Sequence, residues 1–265
     1  MSAIATVLAK LKAKKQLAFI PFLTAGDPDL ETTVSAITTL VEQGANIIEI
    51  GFPFSDPVAD GPIIQASYTR ALEKGIKILD IFKRVQQLTS RPDFHTPLVG
   101  MVSYSLIFRY GVAEFTFAAK SAGFAGLIVP DLPPEEADEL SQATQSAELD
   151  LILLVTPTTT LERAKKIASL SRGFLYCVSI VGITGTQSAQ QQALQQYLER
   201  IRTVTDLPLC VGFGISQPEH IQRLQGLAEG AIVGSSLVRC LHEKGIEGLK
   251  QQAQKLAQAT LPAQG

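Results

Sequence analysis

The chain has 265 residues, 46% of them hydrophobic and only 18% charged, with a formal net charge of −2. That length supports a large core, and a near-neutral balance without a basic stripe argues against a nucleic-acid binder. No run reaches the roughly 18 apolar residues of a membrane span, and three cysteines (Cys177, Cys210, Cys240) form no even disulfide framework or metal spacing, which points to a reduced, cytoplasmic protein.

In chain order, Met1 to Lys15 carries lysines at 10, 12, 14 and 15 among small and apolar residues and predicts a short amphipathic helix. Short apolar runs then alternate with longer helical patterns. The runs are Leu17–Phe22, Ile47–Gly51, Leu98–Ser103, Gly126–Pro130, Leu151–Val155, Phe174–Ser179, Leu209–Gly212 and Ala231–Gly234, each suited to a strand buried on both faces. Helices are predicted over Asp29–Gln43, Ile63–Lys74, Leu79–Thr89, Val112–Ala122 and Glu135–Ala147, the last entered through Pro133-Pro134. Leu161–Ser171, Gln191–Thr203, Pro218–Leu227 and Ser235–His242 follow, and Ile246–Gln258 is an extra terminal helix. This alternation is that of an α/β protein, a (β/α)8 TIM barrel of one domain over residues 1–265 with extra N- and C-terminal helices. A doubly wound open sheet is the alternative, but Phe22-Leu23-Thr24-Ala25-Gly26 lacks the G-x-G-x-x-G that its first turn would carry.

A barrel places its active site at the carboxyl ends of its strands. Glu49 lies near the carboxyl end of the second run, and a glutamate is costly to bury there without a purpose. Asp60 follows in a Pro/Gly-rich turn. The two predict an acid and base pair over a pocket, although Asp56 and Asp60 flank Pro57 and either also fits a helix cap. Gly182-Ile183-Thr184-Gly185, Gly212-Phe213-Gly214 and Gly234-Ser235 follow the last three strands. Glycines there either make tight turns or let backbone amides approach a phosphate, and three sets at adjacent strand ends favour phosphate. Phe22, Tyr176 and Phe213 fit either a core or a sandwich around a flat ring. Asp131 reads as a turn or cap residue, and Asp27 stands before Pro28 near the same mouth. His95, His220 and His242 are scattered, and no Ser/His/Asp set or metal cluster stands out.

Several stretches together resemble the tryptophan synthase α subunit family over nearly the whole chain. They are Phe19 to Pro28, Glu49 to Gln65, Pro130-Asp131-Leu132-Pro133, Thr156-Pro157-Thr158, Gly182 to Gly185, Val211 to Ile215 and Val233-Gly234-Ser235. The resemblance implies a cofactor-free lyase that cleaves indole-3-glycerol phosphate to indole and glyceraldehyde 3-phosphate, the penultimate step of tryptophan biosynthesis. It further implies an α2β2 assembly whose β subunit carries pyridoxal phosphate and receives the indole. By the same resemblance Glu49 is the general acid/base and Asp60 its partner. Gly185, Gly214, Gly234 and Ser235 would hold the phosphate, and Phe22, Met101, Leu127, Tyr176, Phe213 and Ile232 would line the indole pocket. Thr184 would lie in the closing loop and Asp56 in the loop it meets.

Three stretches depart from the family pattern. Ser103-Tyr104-Ser105 stands where Tyr and Asn are usual, which alters a wall of the indole pocket. Ile180-Val181 and Gly185-Thr186-Gln187 depart near the closing loop and bear on partner coupling. A stand-alone indole-releasing lyase, a catalytically weak subunit that only activates its partner, and a different phosphate-binding barrel are the competing expectations. The last leaves the Glu49–Pro62 block without a purpose.

Overall fold

The computed structural model describes residues 1–57, 60–179 and 187–262, with the side chains of 187 and 188 left aside. All strand pairings are parallel, as strands buried between two layers of side chains require. The strands are β1 (Ala18–Thr24), β2 (Ile48–Gly51), β3 (Leu98–Met101), β4 (Phe124–Ile128), β5 (Asp150–Ile152), β6 (Leu154–Val155), β7 (Leu175–Val178), β8 (Leu209–Gly212) and β9 (Gly230–Val233). Their spatial order is β5-β4-β3-β2-β1-β9-β8-β7-β6. The two ends of that order, β5 and β6, are the halves of one stave interrupted at Leu153. The first half pairs with β4, the second with β7, and the Leu153 carbonyl accepts from Tyr176 N at 3.2 Å. The chain itself closes the ring, so the fold is the expected (β/α)8 barrel.

The helices surround the staves: α1 (Ala3–Ala13), α2 (Leu30–Glu42), α3 (Pro62–Glu73), α4 (Ile78–Thr89), α5 (Tyr104–Tyr110), α6 (Val112–Ser121), α7 (Asp138–Ser146), α8 (Leu161–Leu170), α9 (Gln187–Arg202), α10 (Pro218–Gln222) and α11 (Ser235–Gln258). Local side chains set several starts. Asp29 accepts from Thr32 N at 2.6 Å, and Thr160 accepts from Arg163 N at 3.3 Å. The two last predicted helices run together as α11 with a break at Gly245, whose φ of 64° is left-handed. Two expectations need correction. The proline pair does not open α7, which starts at Asp138 after a turn closed by Glu136 N to Pro133 O. The helix predicted to Leu227 stops at Gln222 and continues as turns.

Side chains alternate along each stave, because successive Cβ atoms point to opposite faces. One set packs outward against the helices, including Phe19, Ile48, Ile50, Leu98, Leu175 and Val211. The other fills the barrel, including Ile20, Phe22, Ile47, Val99, Met101, Phe174, Tyr176 and Ile232. Helix α1 joins the inner set through Ile4, Leu8 and Leu11 and covers the amino-terminal floor. The opposite, carboxyl-terminal end is left open.

Candidate active site

Glu49 occupies the inner face of β2, between Phe22 of β1 and Val99 of β3 in register. Its side chain is 1% exposed, and neither carboxylate oxygen has a hydrogen-bond partner among the described residues. Strand period alone places it there: Ile48 and Ile50 pack outward, so Glu49 must face in. Gly51 is the next inward position. A Cβ on Gly51 would stand 2.7 Å from the Tyr68 hydroxyl and would collide with the Phe22 ring, so only glycine leaves room for both.

Asp60 approaches from the loop before α3. Gly61 is the N-cap of α3, Pro62 opens it, and no side chain caps it. Asp60 is therefore not the cap that its position also allowed, and its Oδ1 is buried without a partner among the described residues. Its backbone is held instead, with Asp60 N donating to Pro57 O at 3.0 Å and Gln65 Nε2 donating to Asp60 O at 2.8 Å.

Burial pushes the Glu49 carboxyl up to about 8, with the Asp60 charge adding to the rise. Burial alone raises Asp60 to about 6. Asp60 thus ionises first, and its charge then helps hold the proton on Glu49. Near neutral pH the pair is one carboxylic acid and one carboxylate, an arrangement suited to proton delivery beside a developing positive charge. Asp60 is more enclosed than a solvated loop residue, which narrows its margin of ionisation.

Both carboxylates border a cavity of about 310 Å3. Phe22, Met101, Tyr176, Phe213 and Ile232 form its apolar walls. The Tyr176 and Phe213 rings meet edge-on at 6.0 Å between centroids. Tyr176 needs Gly212 beside it, since a Cβ there would strike the Tyr176 hydroxyl. Phe213 and Gly214 both adopt left-handed backbone, at φ of 67° and 72°. For phenylalanine that conformation is strained, and Ser179 Oγ holds it by donating to Phe213 O at 2.7 Å.

The cavity wall also includes Gly214, Gly234 and Ser235. Gly234 is the N-cap of α11 with no capping side chain, so the positive end of that helix faces the cavity unneutralised. One cavity thus joins two carboxylates, flat apolar walls and an uncapped helix N-terminus.

The structure brings together Phe22, Glu49, Asp60, Met101, Tyr176, Phe213, Gly214, Ile232, Gly234 and Ser235. Leu127 is a correction. It is fully buried on the outer face of β4, beside Gly100 of β3 in register, and the inward residue is Ile128, opposite Met101. Asp56 is exposed on a smaller neighbouring cavity. Thr184 and Gly185, with the departures at Ile180-Val181 and Thr186, lie outside the described residues. Asp27 is satisfied by Arg70, whose Nε and Nη2 donate at 2.9 and 2.6 Å. Asp131 anchors the start of α5, accepting from Ser103 Oγ at 2.6 Å and Tyr104 N at 2.9 Å.

Sequence reasoning missed Gly61, Ile64, Ile215 and Ser216 of the cavity wall and Tyr68 beside the carboxylates. Ile64 and Tyr68 stand four apart on α3, so the signal was their shared helical face just after Asp60.

Comparison with known proteins gives one family. Residues 8–264 match the family described as "Tryptophan synthase alpha chain". The chain is 46% identical over 240 residues to the tryptophan synthase alpha chain of Rhodopirellula baltica, covering 90% of this chain and 86% of that one. It is 44% identical over 264 residues to that of Synechocystis sp., covering 98% and 99%. Among solved structures, tryptophan synthase subunit alpha from Legionella pneumophila superposes with a TM-score of 0.91 at 36% identity, covering 98% of each chain. A chain of Mycobacterium tuberculosis tryptophan synthase does so at 0.90 and 36%, covering 99% of each.

Proposed function

The chain belongs to the tryptophan synthase alpha chain family, lyases of tryptophan biosynthesis that cleave indole-3-glycerol phosphate, and on that premise we propose how its residues divide the work. The carrying observation is the buried Glu49 carboxylate and the buried Asp60 Oδ1, neither with a partner among the described residues, on a cavity whose wall includes an uncapped helix N-terminus. The substrate phosphate sits at Gly214, Gly234 and Ser235, where helix amides and dipole favour a dianion. Gly185 and Thr184 would complete that end from the loop after β7. The indole ring lies between Phe22, Tyr176, Phe213, Met101 and Ile232, with its N–H toward Asp60.

Glu49, protonated near neutral pH, delivers its proton to C3 of the indole. Positive charge then develops on the ring nitrogen, and the Asp60 carboxylate stabilises it. Glu49, now a carboxylate, takes the proton of the adjacent side-chain hydroxyl. The bond between C3 and the side-chain carbon breaks, its electron pair returns to the ring, and the hydroxyl carbon becomes the aldehyde of glyceraldehyde 3-phosphate. One group thus serves both proton transfers. These transfers require no cofactor on this chain, and pyridoxal phosphate is assigned to the partner β subunit. Asp56, at the exposed rim, fits a loop-closure contact.

The chain works in this reading as one domain and as the α subunit of an α2β2 assembly in the cytoplasm. No helix among the described residues is long and apolar enough to cross a membrane. The decisive assay is indole production from indole-3-glycerol phosphate by purified protein, with and without added β subunit. Release that rises on adding the partner is expected. No release under either condition would overturn the reading.

A further inference from the structure

A second, smaller cavity of about 30 Å3 adjoins the main one, and the two share Asp60 and Met101 in their walls. Its other walls include Tyr68, Val102, Ser103 and Asp131. Volume of this size holds one water or one compact substituent. Ser103, only 8% exposed, limits the space, and its small side chain is fixed by its bond to Asp131 Oδ2 at 2.6 Å. Ser105 N also donates to Ser103 Oγ, at 3.3 Å, so the hydroxyl is held on both sides.

The position of this cavity identifies what it would accept, given the substrate orientation argued above. Asp60 faces the ring N–H, so the neighbouring ring carbons are C2 on one side and C7 on the other. C2 adjoins C3, whose side chain runs toward the proposed phosphate site at Gly214, Gly234 and Ser235. Neither Glu49, Gly214, Gly234 nor Ser235 borders the small cavity, which places it on the C7 side. We propose that it is a specificity subsite for a single compact substituent at C7 of the indole, a methyl group or a chlorine, and that Ser103 sets its size. A larger residue at position 103 would remove the subsite.

The test compares 7-methyl-indole-3-glycerol phosphate with the parent substrate in wild type and in Ser103→Thr. That variant keeps the hydroxyl for Asp131 and adds one methyl to the cavity wall. Wild type should process both substrates with kcat/KM within about threefold, since the pocket already has the space. Ser103→Thr should lower the ratio of 7-methyl to parent at least about tenfold, the usual scale for one misplaced methyl group in a tight pocket. The ratio for a 4-methyl substrate should stay unchanged. A wild-type ratio below about one-tenth, or a Ser103→Thr effect equal for all three substrates, would overturn the subsite. Binding of indole against 7-methylindole by calorimetry gives the same ratio without turnover. If wild type released no indole from the parent, the lyase reading would fail, while this binding ratio would still decide the subsite.

Discussion

The floor and the mouth of this barrel both hold buried carboxylates, and they treat them in opposite ways. At the floor Asp150 begins β5 at 5% exposure and accepts a hydrogen bond from Ser2 Oγ at 2.6 Å. Burial pushes its carboxyl up, but Ser2, Arg172 and Lys120 all pull it back. Glu229, just before β9, is bound by Arg202 and by Leu209 N, with Lys12 of α1 at 3.5 Å. At the mouth Glu49 and the Asp60 Oδ1 have no partner among the described residues, and every influence on Glu49 raises it. Buried acids matched by donors hold elements together. Those left unmatched are costly to the fold and are available for a substrate. Location alone does not decide this, because Asp27 stands near the mouth and is fully matched by Arg70.

The contrast is broken most directly at Glu49. Glu49→Gln should lower kcat at least about 10²-fold, the scale of a lost general acid/base, while substrate affinity changes little. Near wild-type indole release in a steady-state assay would remove the assignment. Elsewhere on the cavity wall, Gly234→Asp puts a like charge and new bulk at the proposed phosphate site. Affinity for glycerol phosphate should fall about tenfold or more, as for a lost charge-assisted contact, read by competitive inhibition. Unchanged affinity would move the phosphate site elsewhere.

The pH profile sharpens the same comparison. Asp60 must be ionised, so kcat/KM should fall as pH drops through about 6. Glu49 must be protonated, so it should fall again as pH rises through about 8. In Asp60→Asn the acid limb should disappear while the alkaline limb persists. Persistence of the acid limb in that variant would assign it to another group. The smallest effect belongs to the floor. Asp150→Ala removes the charged acceptor of the Ser2 hydroxyl, whose Oγ keeps its bond from Ala5 N, and should cost about 1–3 kcal/mol of stability by denaturant unfolding. Its kcat should match wild type, and a large loss of turnover would mean that floor and mouth are coupled.

Much of this architecture is legible along the chain, for reasons that differ by residue. Strands buried on both faces show as short apolar runs, so the barrel staves stand out and so does a glutamate within one. The glycines after β8 and before α11 mark places where backbone must come close to something. Leu127 was assigned to the pocket by the resemblance alone, and the local pattern could not correct it. In Gly126-Leu127-Ile128-Val129-Pro130 every residue is apolar or conformationally special, so nothing fixes which face is inward. Period two turns a one-residue error of phase into the opposite side of the sheet. Helix α5 was missed because it has only seven residues, and one of its anchors, Asp131, lies 28 residues beyond Ser103.

The order of elements, their alternating faces and the identity of the two acids belong to the sequence, because they depend on neighbours a few positions apart. Whether a buried acid finds a donor belongs to tertiary structure. Ser2 and Asp150 are separated by 148 positions, and Arg70 and Asp27 by 43. Glu49 is poised as an acid because the folded barrel buries it beside Asp60 and gives it no donor among the described residues, and packing across the ring determines that environment.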